Sequence, residues 1–156
     1  MNNGGQGSLG LYATPFSDAT NFMVVFGGRS ETVAYSGLKD SFGVYWGSVG
    51  TYNSLTFYNG NVSVATISGE DVDPPLEANG GQTEYASNGY VLISALPQFD
   101  LVVAASSSNS FEFDNVVAGG ASVVPEPSTW AILLLGFTGL GYAGFRRRKA
   151  PILALA

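Results

Sequence analysis

The segment Leu55–Ile67, LTFYNGNVSVATI, alternates apolar and polar residues on both sides of Asn59-Gly60. Asn and Gly both tolerate positive φ, and a two-residue turn of that kind flanked by alternating runs is the strongest short-range hairpin signal. The pattern is not isolated. NFMVVF, ETVAYS, SFGVYWGS, NSLTFYN, NVSVATIS, GYVLISAL, FDLVVAAS and NSFEFDNVV are all short, rich in β-branched or aromatic residues and bounded by turn formers. None repeats at helical spacing, and no crossover helix separates them. Eight such runs predict an all-β fold, an antiparallel β-sandwich of jelly-roll type over residues 21–120. Within FEFDNVV, Phe111, Phe113 and Asn115 share one face while Glu112, Asp114 and Val116 share the other. Inside–outside alternation therefore breaks at 115 and 116, where a bulge or strand end is expected.

Two absences narrow the chemistry. The chain has no histidine and no cysteine, which excludes Ser-His-Asp and Cys-His catalysis, disulfides and the usual zinc ligand sets. Charged residues make up only 12% of the chain, and residues 1–125 hold eleven Asp/Glu against Arg29 and Lys39. That balance of −9 repels phosphates, so nucleic acid is not an expected partner. Disorder is not expected either, because aromatic residues reach 13%.

The N-terminus, MNNGGQGSLGLYATPF, has no basic start and no apolar stretch, so residues 1–20 read as a flexible segment without an export signal. The far end is different. From Trp130 to Phe145 sixteen consecutive residues are apolar or small, and Arg146, Arg147, Arg148 and Lys149 follow directly. As a helix this run spans about 24 Å at roughly 1.5 Å per residue, against a hydrocarbon core of about 30 Å. Residues 130–145 are thus expected to form one short transmembrane helix, with Trp130 at the headgroups and the arginines snorkelling. The basic block then keeps residues 146–156 cytoplasmic and places the β-domain outside, joined by a proline-containing linker at 121–129. An export signal is therefore expected upstream of Met1, this start being mistaken or the chain a fragment. GLGYAG, Gly139–Gly144, matches G-x-G-x-x-G but lies within this apolar run, with no strand before it and no acid after Glu126. It lacks the context of a dinucleotide site.

The order Val-Pro-Glu-Pro-Ser-Thr, short apolar span, Arg-Arg-Arg-Lys closely resembles the PEP-CTERM sorting signal of Gram-negative bacteria. The resemblance covers about residues 123–151. It implies that exosortase, an integral-membrane transpeptidase-like enzyme, recognises Pro125, Glu126 and Pro127, with Arg146, Arg147, Arg148 and Lys149 as the retention block. It further implies a protein held transiently in the inner membrane, cleaved near Pro-Glu-Pro, and passed to the cell surface or an extracellular polysaccharide matrix. Residues 35–120 are also similar to the jelly-roll surface domains found upstream of such signals, which are related in shape to carbohydrate-binding modules.

Within the domain three groups of residues are candidates for a site. The loop GEDVDPPLEANGGQTEYASNG carries Asp71 and Asp73, hard oxygen ligands suited to Ca2+, although EF-hand spacing is absent and a solvated acidic loop is the alternative. The jelly-roll resemblance makes Asp114 and Asn115 a second Ca2+ candidate; turn bonding to backbone is the alternative. No other cofactor is expected. Tyr45, Trp46 and Tyr58 are candidates for a sugar-stacking face, with core packing the alternative, and alternation puts Tyr45 and Trp46 on opposite sides of their strand. Paired carboxylates could hydrolyse a glycoside without histidine, but Glu70 and Asp71 are neighbours on an extended chain and point apart. A noncatalytic protein is the expectation, with a carbohydrate-binding module as the alternative.

Overall fold

A computed structural model of the chain describes residues 12–120. They form seven strands: β1 (Met23–Phe26), β2 (Arg29–Gly47), β3 (Asn53–Asn59), β4 (Val62–Ser68), β5 (Gly89–Ile93), β6 (Phe99–Ser106) and β7 (Ser110–Gly120). All pairings are antiparallel. Two single 3-10 turns, Gly69–Val72 and Tyr85–Ser87, interrupt the loop between β4 and β5, and there is no α-helix among the described residues. The expected all-β, antiparallel organisation is present. The linker (121–129), the apolar run (130–145), the basic tail (146–156) and residues 1–11 lie outside the described residues.

Eight runs become seven strands because ETVAYS and SFGVYWGS join in β2. Ser36-Gly37 reads as a turn, yet the backbone at Gly37 has open space around it and does not take positive φ. The chain therefore bends there without reversing. The register to β6 slips between Ala34 and Lys39, and from Lys39 onward β2 acquires β7 as a partner. Its first half, Arg29–Ala34, pairs with β6; its second half lies between β7 and β5, with Phe42 opposite both Ala118 and Ile93. The sheet path is β1-β7-β2-β6-β3-β4, with β5 joined to β2. One strand thus serves two groups, β2-β6-β3-β4 and β5-β2-β7-β1.

Alternation decides which side chains fill the core. Phe42, Val44 and Trp46 of β2, Leu55 and Phe57 of β3, Val102 and Ala104 of β6, and Phe111 and Phe113 of β7 are all buried in one cluster. Phe42 meets Phe57 edge-on at 5.5 Å and Phe99 at 6.5 Å. Trp46 stacks on Phe111 at 4.7 Å. Such pairs add about 0.5–1.5 kcal/mol each beyond the area they bury.

The β3–β4 hairpin forms as expected, one residue out of frame. Asn59 stays in the ladder opposite Val62, so the loop is Gly60-Asn61. Gly60 has φ +58 and Asn61 is not in the positive region, the pattern of a type II′ turn with glycine first. The Gly60 N–H also donates to Asp100 Oδ1 at 3.0 Å, tying the turn to β6. The expected break in β7 is present too. Gly43 pairs with Val117 and Tyr45 with Asp114, so three steps on β7 match two on β2, and Asn115 sits in this bulge at φ +50.

Candidate functional site

The aromatic candidates do not converge. Trp46 is 0% exposed and shares the inner side with Phe42 and Val44, so the expected ligand face loses its indole to the core. Tyr45 points the other way, as alternation requires, and is half-buried because its hydroxyl donates to the Phe16 carbonyl at 2.6 Å. Burial, with smaller contributions from Asp18 and Tyr85, pushes its phenol up. Tyr58 belongs to the other strand group, paired with Ser63 and Leu101. Other rings are exposed, Tyr85, Tyr90 and Phe26 among them. Tyr90 is 50% exposed, and its ring crosses Gly43 so closely that any Cβ there would meet its hydroxyl. No signal in the run GYVLIS shows this, since the partner glycine lies on another strand.

Three carboxylates of the acidic loop, those of Asp71, Asp73 and Glu77, bond to local turns. Asp71 Oδ2 accepts from the Ser68 N–H and the Ser68 hydroxyl, both at 2.7 Å, and these bonds hold its carboxyl below the usual value. Asp73 Oδ2 accepts from Ala78 N–H at 3.3 Å. Glu77 Oε2 accepts from the Asn79 amide at 3.0 Å. Among the described residues no three His, Cys, Asp or Glu side chains come together as a metal site.

Asp114 and Asn115 lie at an oxygen-rich corner. Asp114 Oδ1 accepts from Asn115 N–H at 2.6 Å, the turn bonding weighed as an alternative. Its Oδ2 accepts from the Thr20 hydroxyl, which also lies 2.6 Å from Asp18 Oδ1. One hydroxyl proton serves only one of two carboxylates at a time. Burial works to raise the Asp18 carboxyl, but the Thr20 hydroxyl and N–H and the contact with Asp114 together hold it below its usual value. Two carboxylates and a hydroxyl are three of the six to eight oxygens, carbonyls and waters included, that Ca2+ takes.

The most buried acid was not a sequence candidate. Glu112 is 1% exposed. Strict alternation in FEF turns it away from the core, but residues 12–16, part of the segment expected to be flexible, cover it. Ala13 N–H donates to Glu112 Oε1 at 3.1 Å, and the Ser110 hydroxyl donates to the same oxygen. Phe16 N–H donates to Asn88 Oδ1 at 3.1 Å, and a Cβ on Gly47 would touch Pro15 at 3.0 Å, so the strap is held along its length. Ser48 lies beside the Glu112 carboxyl, and Oε2 makes no hydrogen bond. Burial pushes this carboxyl up, against the opposing pull of Ser110 and Ala13.

The described part is therefore an acid-rich all-β domain built on an antiparallel sheet. No helix among the described residues is long and apolar enough to cross a membrane. The rest of the chain supplies a family signature: residues 123–149 match the PEP-CTERM protein-sorting motif. The resemblance read from Pro125, Glu126, Pro127 and the Arg146–Lys149 block holds. The motif implies processing by exosortase, export and delivery to the cell surface. No curated protein and no solved structure matches this chain.

Proposed function

We propose that this is a noncatalytic extracytoplasmic β-sandwich protein of a Gram-negative bacterium, released by exosortase to the cell surface or an extracellular polysaccharide matrix. The match over residues 123–149 carries the reading. In it Pro125–Pro127 present the processing site, residues 130–145 hold the chain in the inner membrane as a short helix, and Arg146–Lys149 stay cytoplasmic. The sandwich is supported by the contacts of Phe42 with Phe57 and Phe99. Surface delivery suits such a domain, because its stability comes from an aromatic core and it has no cysteine to oxidise. No cofactor enters this reading. The carbohydrate-binding alternative rested on Tyr45, Trp46 and Tyr58; Trp46 is buried and the two tyrosines lie on different strand groups, so no observation favours it.

Expression in a host with and without its exosortase gene tests the reading. The expected result is a smaller mature protein at the surface only when the enzyme is present. Identical size and location in both hosts would sink it.

A further inference from the structure

A groove of about 450 Å3 runs beside β5. One wall is residues 90–94, five in succession. Side chains of a strand alternate between faces, so a wall made by consecutive residues is the strand's edge, with its backbone turned to the opening. Among the described residues β5 pairs only with β2, which leaves the N–H and C=O groups of its other edge without a strand partner there. Edge strands are usually blunted by charge, proline, bulges or extreme shortness. β5, with sequence GYVLI, has no charge and no proline, and its ladder to β2 runs without a register slip. β1, by contrast, is only four residues long, and the β3–β4 ladder slips between Phe57 and Tyr58.

The opposite wall is apolar apart from one charge: Ile67, Pro74 and Leu76 stand there with Asp71. Leu92, 67% exposed, extends the apolar surface past the rim. An adjoining recess is lined by Glu70, Asp73 and Glu77 with no basic side chain. Asp71 is held ionised by its bonds from Ser68.

We propose that this edge is a strand-addition site for an extended segment of another polypeptide, apolar at alternate positions and flanked by lysine or arginine. The backbone of the segment pairs with β5, alternate side chains enter the groove against Ile67 and Leu76, and the flanking cation meets Asp71. A glycan or a lipid has no alternating N–H and C=O groups to offer this edge. A second copy of the chain would bring the same acidic flank towards Asp71 and its neighbours, so charge favours a basic partner.

The test is a titration of the purified full-length chain with a labelled Lys-Val-Thr-Val-Thr-Val-Lys peptide, read by fluorescence anisotropy. Saturable binding is expected, weakened at least roughly tenfold by Leu92→Lys and by N-methylation of alternate peptide residues, either of which removes about 1.4 kcal/mol or more. Leu92 is exposed, so the variant should keep its circular dichroism and melting temperature. If it does not fold, Asp71→Asn serves instead: it should weaken the lysine-flanked peptide and leave a threonine-flanked one unchanged. No binding, or binding indifferent to these changes, overturns the proposal. So does sedimentation showing that the chain alone self-associates through a contact abolished by Leu92→Lys, which would put a second copy in the groove.

Discussion

The two halves of β2 are one continuous strand in two environments. Arg29–Leu38 is mostly exposed, with only Val33 and Tyr35 half-buried, whereas Phe42, Val44 and Trp46 are fully buried. Pairing does not separate them, since both halves lie in antiparallel ladders. The second half differs in having a neighbour on each edge and aromatic rings against its inner side. Hydrogen bonds to a neighbouring strand set direction and register; burial of apolar side chains supplies most of the net stability.

Substitutions along β2 and the elements around it sharpen that contrast. Trp46→Ala removes the ring stacked on Phe111 and should cost about 3–5 kcal/mol, measured by chemical denaturation. A cost under about 1 kcal/mol would mean that the second half is not the anchor of the core. Gly43→Val places a side chain where Tyr90 lies and within 2.8 Å of a Val117 methyl position for its Cβ alone. Because Tyr90 is exposed and can swing away, a loss of about 1–3 kcal/mol is expected.

Glu112→Gln probes the end of the buried half, where Glu112 pairs with Gly47. The folded state raises this carboxyl, so it binds the proton more tightly than the unfolded chain. The contribution of Glu112 to stability is therefore fullest below its ordinary value of 4.5 and declines as pH rises from there through the raised folded value. The glutamine variant should lack that decline. Denaturation curves across a pH series would show the two proteins diverging as pH rises above 4.5, and parallel curves would mean that the strap does not desolvate the acid. Thr32→Ala, on the outer side of the exposed half, should move stability by no more than about 0.5 kcal/mol.

Much of this is legible in the sequence. The alternating runs mark the positions of all seven strands, the β3–β4 hairpin forms one residue past the expected Asn59-Gly60 turn, and the bulge at Asn115 follows from the broken alternation after Phe113. These are local facts, carried by neighbours in the chain. The merger at Gly37 was hidden because the same dipeptide serves a turn or a bend, and the choice depends on β6 and β7 arriving as partners. Of the site candidates, the sorting motif was readable because its three parts are contiguous. Trp46 shows the limit of composition: an aromatic suits a core or a ligand face equally, and only its facing ring, Phe111, decides. Glu112 was out of reach, since its burial depends on Ala13, 99 positions away. Tyr90 was too, because its position depends on a glycine in another strand.

The pairing of β1 with β7 sets a timetable. β1 has no other ladder among the described strands, and its register runs from Met23 with Phe113 to Phe26 with Ser110. A chain that enters a compartment from one end cannot zip this edge shut until both ends of the domain have arrived. Contacts so distant in sequence also form late, because the intervening loop must be closed first. For a protein whose sorting motif implies passage across a membrane, the topology itself postpones closure of the domain until transit is nearly complete.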